Sequence, residues 1–151
     1  MTEIETPADM DALAGSKLGV SDWLTVTQEM IDLFADATGD HQWIHVDRER
    51  AAREMPGGRT IAHGFLTLSL LPRMAQAIYR IRRRSRAINY GCNKVRFTHP
   101  VASGSRIRLH LTLKATEAIE GGRRLISENM VEIEGQDRPA LVAETISLAF
   151  D

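Results

Sequence analysis

The chain has 151 residues, of which 26% are charged and 43% hydrophobic, and its formal net charge is -1 at pH 7. This length predicts one domain over residues 1–151 with its own core. The near-neutral charge and the 5% aromatic content argue against a nucleic-acid partner. We expect a cytoplasmic protein, because no apolar run approaches the ~18 residues of a membrane span, the first residues are polar, and Cys92 is the single cysteine.

The first third of the chain predicts short elements around one helix. Residues 1–20 are expected to be peripheral to the domain, and residues 23–26 form a candidate strand. Thr27 is a favoured N-cap, the apolar residues after it have helical spacing, and Gly39 stands where a helix commonly ends. Asp40 is therefore predicted to lie in a loop.

Two further helices are predicted before any sheet begins. Asp47 is an N-cap candidate for a helix over residues 48–55, which Pro56 and two glycines end. Residues 61–81 form the longest apolar segment, and its few polar positions make one narrow stripe. We therefore expect a long helix that is buried nearly all round and kinked at Pro72.

After residue 86 the hydrophobic period changes to two, which predicts consecutive antiparallel strands. A change of parity predicts a bulge near Asn93 and Lys94. Residues 107–115 alternate cleanly, a Gly-Gly pair predicts a hairpin turn, and residues 125–134 are the next strand. The last strand is expected to share one apolar face, with Glu144 as an exception; its members are Ala140, Val142, Ile146, Leu148 and Phe150.

Helices followed by consecutive strands predict an α+β fold. A single sheet must cover its apolar face, and only the segment 61–81 is apolar enough to do so. The antiparallel sheet is therefore expected to curl around this one long helix.

Asp40 and His45 are the first candidates for chemistry. Five residues apart in a loop, a carboxylate and an imidazole can converge on one water and divide the general acid and general base duties. The competing interpretation is local, with Asp40 capping backbone amides and His45 a hydrogen-bonded polar residue. The spacing by itself favours this second interpretation.

Gly64 stands at the predicted start of the long helix, where its N–H is a free donor and the helix dipole adds positive potential. Such a donor suits an oxyanion, although a glycine there can also serve only tight helix–sheet packing. His63 and His41 are weaker candidates for ligand contact. No metal site is predicted, because His41 and His45 follow a helix stop and lack a clear third ligand.

A cluster of arginines follows the predicted helix. The simpler interpretation is a solvated helix end whose charge complements the dipole. The alternative is a seat for phosphates such as those of coenzyme A. The cluster consists of Arg80, Arg82, Arg83, Arg84 and Arg86.

The segment 34–51 resembles the signature of the MaoC-like (R)-specific enoyl-CoA hydratases. A Thr-Gly-Asp triplet that ends at Asp40 is followed, at the family's spacing, by His45. The family's second landmark, a His-Gly pair at the start of the central helix, is matched by His63 and Gly64. The resemblance covers about residues 20–150.

This resemblance implies the hotdog fold, in which a curled antiparallel sheet surrounds one long helix. It implies reversible hydration of a trans-2-enoyl-CoA to an (R)-3-hydroxyacyl-CoA, with no metal or other cofactor. Asp40 and His45 would be the catalytic pair, and the Gly64 N–H would bind the thioester oxygen. It also implies a homodimer with the ligand groove between the subunits, which agrees with the need to cover an exposed sheet edge.

The sequence departs from the family at one place, where Gln42 and Trp43 replace the usual Asn-Pro. This form resembles the branch related to nodulation protein N. Gln42 must then replace the asparagine that often supports the loop or leave that role vacant, and Trp43 is expected to narrow the acyl pocket. With His63, both are candidate substrate contacts. An acyl-CoA thioesterase and a non-catalytic acyl-thioester binding module stay open as alternatives.

Overall fold

The computed structural model describes residues 1–151. Two short 3-10 helices, Pro7–Leu13 and Pro56–Gly58, accompany five α-helices and eight strands. The α-helices are α1 Gln28–Thr38, α2 Trp43–Val46, α3 Arg48–Glu54, α4 Gly64–Ser69 and α5 Leu71–Ala75. The strands are β1 Thr2–Ile4, β2 Ser16–Val20, β3 Leu24–Thr25, β4 Tyr79–Ile81, β5 Arg86–Phe97, β6 Arg106–Ile119, β7 Gly122–Ile133 and β8 Leu141–Phe150. None of the helices is long and apolar enough to cross a membrane.

One antiparallel sheet organises the molecule, with the strand order β2-β6-β7-β8-β5 and with β3 paired beside β2 on β6. Its inner face packs on α4 and α5, so that Leu109 and Val131 from the sheet join Leu66 and Met74 from the helices in the main core. The burial of these side chains removes apolar surface from water, which is the main source of stability. The predicted α+β arrangement of an antiparallel sheet around a central helix is confirmed.

The helix ends follow the local signals in the sequence. The Thr27 hydroxyl accepts a hydrogen bond from the backbone N–H of Met30, and Gly39 closes α1 in the left-handed conformation at φ 77°. The Asp47 carboxylate accepts from the backbone N–H of Arg50 and caps α3. Each cap satisfies backbone groups that a helix end leaves without partners.

The long central helix is shorter and more divided than the sequence predicts. It begins at Gly64, breaks at Leu70 between α4 and α5, and ends at Ala75. Pro72 lies in the first turn of α5, where its missing N–H costs no hydrogen bond, so the break precedes it. The end of the apolar segment forms β4, which pairs in parallel with β1. A distant strand therefore overrides the local helical pattern.

Residues 1–20 are more integrated than the expected peripheral segment. They form β1, the first 3-10 helix and β2, which pairs with β6 at the edge of the sheet. Met10 is fully buried and Ile4 is 6% exposed, and both join a second apolar cluster with Leu113 and Leu125. This segment closes one end of the core.

The predicted inner face of the last strand is wrong. Leu141, Ala143 and Ala149 are the buried residues of β8, whereas Val142 is 37% exposed. The error arises because Thr145 and Ser147 share the inner parity, so the residues that look apolar in sequence lie on the outer face. Polar side chains in the middle of an inner face are unusual, because buried polar groups need hydrogen-bond partners.

β5 is the edge of the sheet opposite β2. It pairs only with β8, and its register shifts near Asn89 and again between Cys92 and Lys94, which agrees with the predicted bulge. Large side chains along this strand are exposed, with Tyr90 at 59% and Phe97 at 44%. An edge that is long and apolar is a surface that proteins normally cover.

Candidate active site

Three side chains predicted from sequence meet beside the start of α4. The carboxylate of Asp40 and ring nitrogens of His45 and His63 all lie within 4.8 Å of one another. Asp40 is exposed, whereas His45 and His63 are 7% and 3% exposed. The three residues come from the end of α1, from α2 and from the N-cap of α4, so tertiary structure brings two distant segments together.

His45 is held as a neutral imidazole of one tautomer. Its Nδ1 lies 2.7 Å from the carbonyl oxygen of Ile61. Since that oxygen can only accept, Nδ1 carries the proton and Nε2 keeps a free lone pair. Burial is the main cause that lowers the pKa of His45, the neighbouring His63 lowers it further, and the bond to Ile61 and the charge of Asp40 oppose the shift in part. A neutral ring with an unprotonated Nε2 is suited to accept a proton from water.

His63 connects Asp40 to His45. Its Nε2 donates to the backbone carbonyl of Asp40 at 2.9 Å, and its ring stacks on His45 with 3.8 Å between centroids. The ring of Phe34 also packs against the ring of His63, with 4.9 Å between the two centroids. The Nδ1 atom of His63 is buried and has no hydrogen-bond partner in the chain. The ring therefore fixes the backbone of Asp40 beside His45.

The cluster has metal-ligand residue types, but its geometry is poor for ligation. A metal ion lies near the plane of each imidazole that binds it, about 2.1 Å from the nitrogen. The two rings are stacked with only 25° between their planes, so their in-plane lone pairs do not converge on a shared point. Each ring also bonds one nitrogen to a backbone carbonyl. The arrangement suits proton transfer better than metal binding.

Gly64 is the first residue of α4 and follows His63 directly. Its backbone N–H donates to no acceptor within the chain. A Cβ atom at this position would lie 2.9 Å from the ring of Phe97 on β5, which is closer than side-chain atoms normally pack. Phe97 in turn meets the exposed Phe65 edge-on at 5.7 Å. The missing side chain therefore makes room for the Phe97 ring, and the backbone N–H, which has no partner in the chain, is the group that a ligand oxygen could meet.

Gln28 is the residue that the sequence did not reveal. Its side-chain amide donates to the carbonyl oxygen of His45 at 2.7 Å and to Asp32 at 2.8 Å, and its oxygen accepts from the Thr60 hydroxyl. Thr60 is 2% exposed and directly precedes Ile61, whose carbonyl holds the His45 ring. Gln28 therefore links both supports of His45. The only local signal is a polar residue in the first turn of α1, which is too common to be specific.

Gln42 and Trp43 take other positions. Gln42 is exposed, and its backbone carbonyl, rather than its side chain, accepts from the N–H of His45. Gln28, and not Gln42, therefore supports the loop. Trp43 begins α2, and the guanidinium carbon of Arg50 lies 4.0 Å from the centroid of the Trp43 ring. The predicted contacts of Gln42, Trp43 and His63 with substrate stay predictions.

The arginine cluster is divided among different partners. Arg82 and Arg83 form ion pairs with Glu3 and Glu5 near β1. Arg86 stacks on the ring of Phe150 at 4.2 Å. The cluster spans β4 and the start of β5 and so does not lie at a helix end, and its use as a seat for phosphates stays a prediction.

Comparison with known proteins identifies the family and agrees with the fold. The model of the MaoC like domain matches residues 9–134, and the chain belongs to the MaoC-like dehydratase family. It is 54% identical over 147 residues to 3-hydroxyacyl-thioester dehydratase Z of Mycobacterium tuberculosis strain H37Rv, which covers 97% of each chain. It is 50% identical over 144 residues to nodulation protein N of Rhizobium leguminosarum bv. viciae, which covers 93% of this chain and 89% of that protein. The resemblance found in the sequence is confirmed.

Solved structures confirm the hotdog fold. The unliganded R-hydratase of Pseudomonas aeruginosa superimposes with a TM-score of 0.76 at 21% identity, covering 97% of this chain and 86% of that chain. A monoamine oxidase regulatory protein from an Archaeoglobus species gives a TM-score of 0.78 at 24% identity, covering 99% and 96%. At these identities the likeness supports the fold alone.

Proposed function

We propose that this protein adds water reversibly across the double bond of a trans-2-enoyl-CoA and gives an (R)-3-hydroxyacyl-CoA. The observation that carries the proposal is the exposed Asp40 carboxylate within 4.8 Å of a buried imidazole whose tautomer is fixed by Ile61. Membership of the MaoC-like dehydratase family and the dehydratase relative from Mycobacterium tuberculosis support it.

In the proposed mechanism Asp40 and His45 hold one water molecule between them. Its oxygen adds to C3 of the enoyl group, one of its protons passes to the pair, and the pair delivers a proton to C2. Negative charge grows meanwhile on the thioester oxygen, which accepts from the N–H of Gly64. Removal of one such donor elsewhere raises the barrier by roughly 2.7–4 kcal/mol. The free Nε2 of His45 supports its part in the proton transfer.

We also propose a homodimer joined through β5. Two observations support it. The strand has an unpaired outer edge with exposed Ile88, Tyr90 and Phe97. The two large cavities of the single chain do not include Asp40, His45 or Gly64, which fits a groove that is completed by a second subunit. Light scattering at micromolar concentration should give twice the 16.8 kDa mass of the chain. A monomer would contradict the proposal.

Crotonyl-CoA and longer trans-2-enoyl-CoAs test the reaction. We expect loss of the conjugated enoyl-thioester absorbance without release of free thiol, and chiral analysis of the product should give the (R) isomer. Release of thiol would instead support an acyl-CoA thioesterase. Binding with neither change would support a non-catalytic acyl-thioester binding module. Matched acyl carrier protein thioesters in the same assay compare the two carriers.

A further inference from the structure

The inner face of the sheet carries four polar residues beneath the central helix. They share the inward parity of Leu125 and Val131 on β7 and of Ala143 and Ala149 on β8, all of which are buried. We call these four the polar strip. Its members are Ser127, Asn129, Thr145 and Ser147. The hydrophobic pattern of the chain gives no reason for polar residues at these positions, which elsewhere in the sheet are filled by apolar side chains.

A cavity of about 640 Å³ separates the polar strip from the central helix. The helical segment opposite contributes the apolar Leu68, Leu71, Pro72 and Ala75, together with the polar Ser69 and Gln76. The helical wall begins one turn after Gly64 and continues to Gln76, a length of about 12 Å along the helix axis. The cavity therefore begins about one helical turn beyond the candidate oxyanion donor, and it has a polar strip on the sheet side and a mostly apolar helical side.

The polar strip has hydrogen-bonding capacity that the chain does not use. The Asn129 side-chain amide donates to the carbonyl oxygens of Ser127 and Ala143 and to the Thr145 hydroxyl. These bonds fix the orientation of the amide and leave its oxygen without a donor. Thr145 accepts from Asn129 and keeps its own proton to donate. The hydroxyl of Ser147 makes no hydrogen bond within the chain.

An unbroken alkyl chain is a poor match for this cavity. It would cover the polar strip and leave the Asn129 oxygen, the Ser147 hydroxyl and the donor proton of Thr145 without partners, which is unfavourable for polar groups removed from water. A ligand with an oxygen atom on one edge and hydrocarbon on the other would pair these groups and still contact Leu68 and Leu71. The asymmetry of the walls thus defines the chemistry of the ligand.

We propose that the acyl group of the substrate carries a hydroxyl, keto or ether oxygen that bonds to the polar strip. This inference rests on the proposed function, because it assigns the cavity to the acyl part of the same thioester. Thr145 and Ser147 donate to that oxygen, and the Asn129 oxygen accepts from a hydroxyl. The strip acts on substrate choice and takes no part in proton transfer.

The test compares trans-2-decenoyl-CoA with a series of isomers that carry one hydroxyl at successive carbons along the acyl chain. We expect at least one isomer to exceed the plain substrate in kcat/KM by roughly three- to tenfold, the effect of one neutral hydrogen bond. Replacement of two hydroxyls, in the variant Thr145→Val with Ser147→Ala, should bring that ratio to about one and raise the rate with the plain chain. Thr112→Val on β6, which removes a hydroxyl from the outer face, is the matched control and should keep the ratio.

The outcomes separate this inference from the proposed function. If every substrate is hydrated and the plain acyl chain gives the highest kcat/KM, the proposal of a polar acyl group is overturned and the proposed hydratase function is kept. If the variant without the Thr145 and Ser147 hydroxyls still prefers the hydroxylated substrate, the assignment of that preference to the polar strip is overturned. If no enoyl-CoA is hydrated, the proposed function fails and the inference fails with it. Thermal unfolding of each variant shows that the comparison is made on folded protein.

Discussion

Two regions meet the same central helix and differ in how their polar groups are used. On the inner face of β6, Ile107, Leu109 and Leu113 are fully buried, and the backbone of the strand pairs with β7 over most of its length. The site loop, which we define as residues 39–64, leaves several groups without partners. The Nδ1 atom of His63 is buried and unbonded, and the N–H of Gly64 has no acceptor in the chain.

This difference separates residues that stabilise the fold from residues that we propose bind the substrate. A buried polar atom without a partner costs free energy, and a protein keeps such an atom where function requires it. The packed β6 face gains stability from the same helix that presents Gly64. Substitutions in the packed β6 face should therefore lower the free energy of unfolding and leave kcat nearly unchanged. Substitutions in the site loop should lower kcat and leave the free energy of unfolding nearly unchanged.

The largest expected effect is the loss of the proposed catalytic pair. Asp40→Asn and His45→Gln should each lower kcat for crotonyl-CoA hydration by roughly 10²–10⁴-fold, because each removes one acid–base group. Asp40 is exposed, so its variant should change the free energy of unfolding by less than about 0.5 kcal/mol. Steady-state kinetics and urea unfolding measure the two quantities.

Matched controls lie in the same part of the chain. Asp36 and His41 form an exposed hydrogen-bonded pair at 2.8 Å, five residues apart like the proposed catalytic pair. Asp36→Asn and His41→Gln should keep near-normal turnover. Near-normal turnover in Asp40→Asn and His45→Gln as well would remove the mechanism.

The packed region should give the opposite signature. Leu109→Ala empties a fully buried position of the main core and should lower the free energy of unfolding by about 2–5 kcal/mol, with little change in kcat per folded molecule. Leu33→Ala, at a position 61% exposed on α1, is the control and should change little. A large loss of kcat in folded Leu109→Ala would show that the two regions are not separable in this way.

The sequence predicted the features that depend on neighbours along the chain. The cap at Thr27 and the stop at Gly39 are local, and the alternation along β6 follows from one wet face. The end of the central helix was wrong because β1, more than 70 residues away along the chain, pairs with residues 79–81. The face of β8 was wrong because polar residues line an internal cavity, which no hydrophobic pattern records.

The candidate site divides in the same manner. The resemblance identified Asp40, His45 and Gly64, and the structure brings Asp40 and His45 together beside His63. Gln28 was missed because its bonds to His45 and Thr60 cross 17 and 32 residues of sequence. A support of this kind has no periodicity and no motif, so only the folded chain reveals it.

A smaller effect on kcat is expected when the Gln28 support of His45 is altered. Gln28→Glu keeps an oxygen for the Thr60 hydroxyl but replaces the donor to the His45 carbonyl with an acceptor, so α2 should shift. We expect kcat to fall by roughly tenfold with little change in KM, because the residue positions His45 and does not touch substrate. Asp32→Asn alters the other partner of Gln28 and should have a weaker effect. Equal losses in both variants would indicate a general disturbance of α1.

The smallest expected effect is a dependence of stability on pH that arises from His45. Burial lowers the pKa of His45 in the folded chain below 6.5, the usual value that we expect in the unfolded chain. At pH values between the folded and the unfolded pKa, the unfolded chain therefore binds more protons than the folded chain. The free energy of unfolding should therefore rise with pH through that window and level off above 6.5, and His45→Gln should lose this part of the rise. Urea unfolding at closely spaced pH values, with His41→Gln as the control, measures it.

The pKa of His41 is raised by its bond to Asp36, so the contribution of that residue has the opposite sign: it is present below 6.5 and is lost as pH rises. Parallel curves for wild type and His45→Gln would mean that the imidazole is not held neutral by burial, and the free lone pair on Nε2 would lose its physical basis.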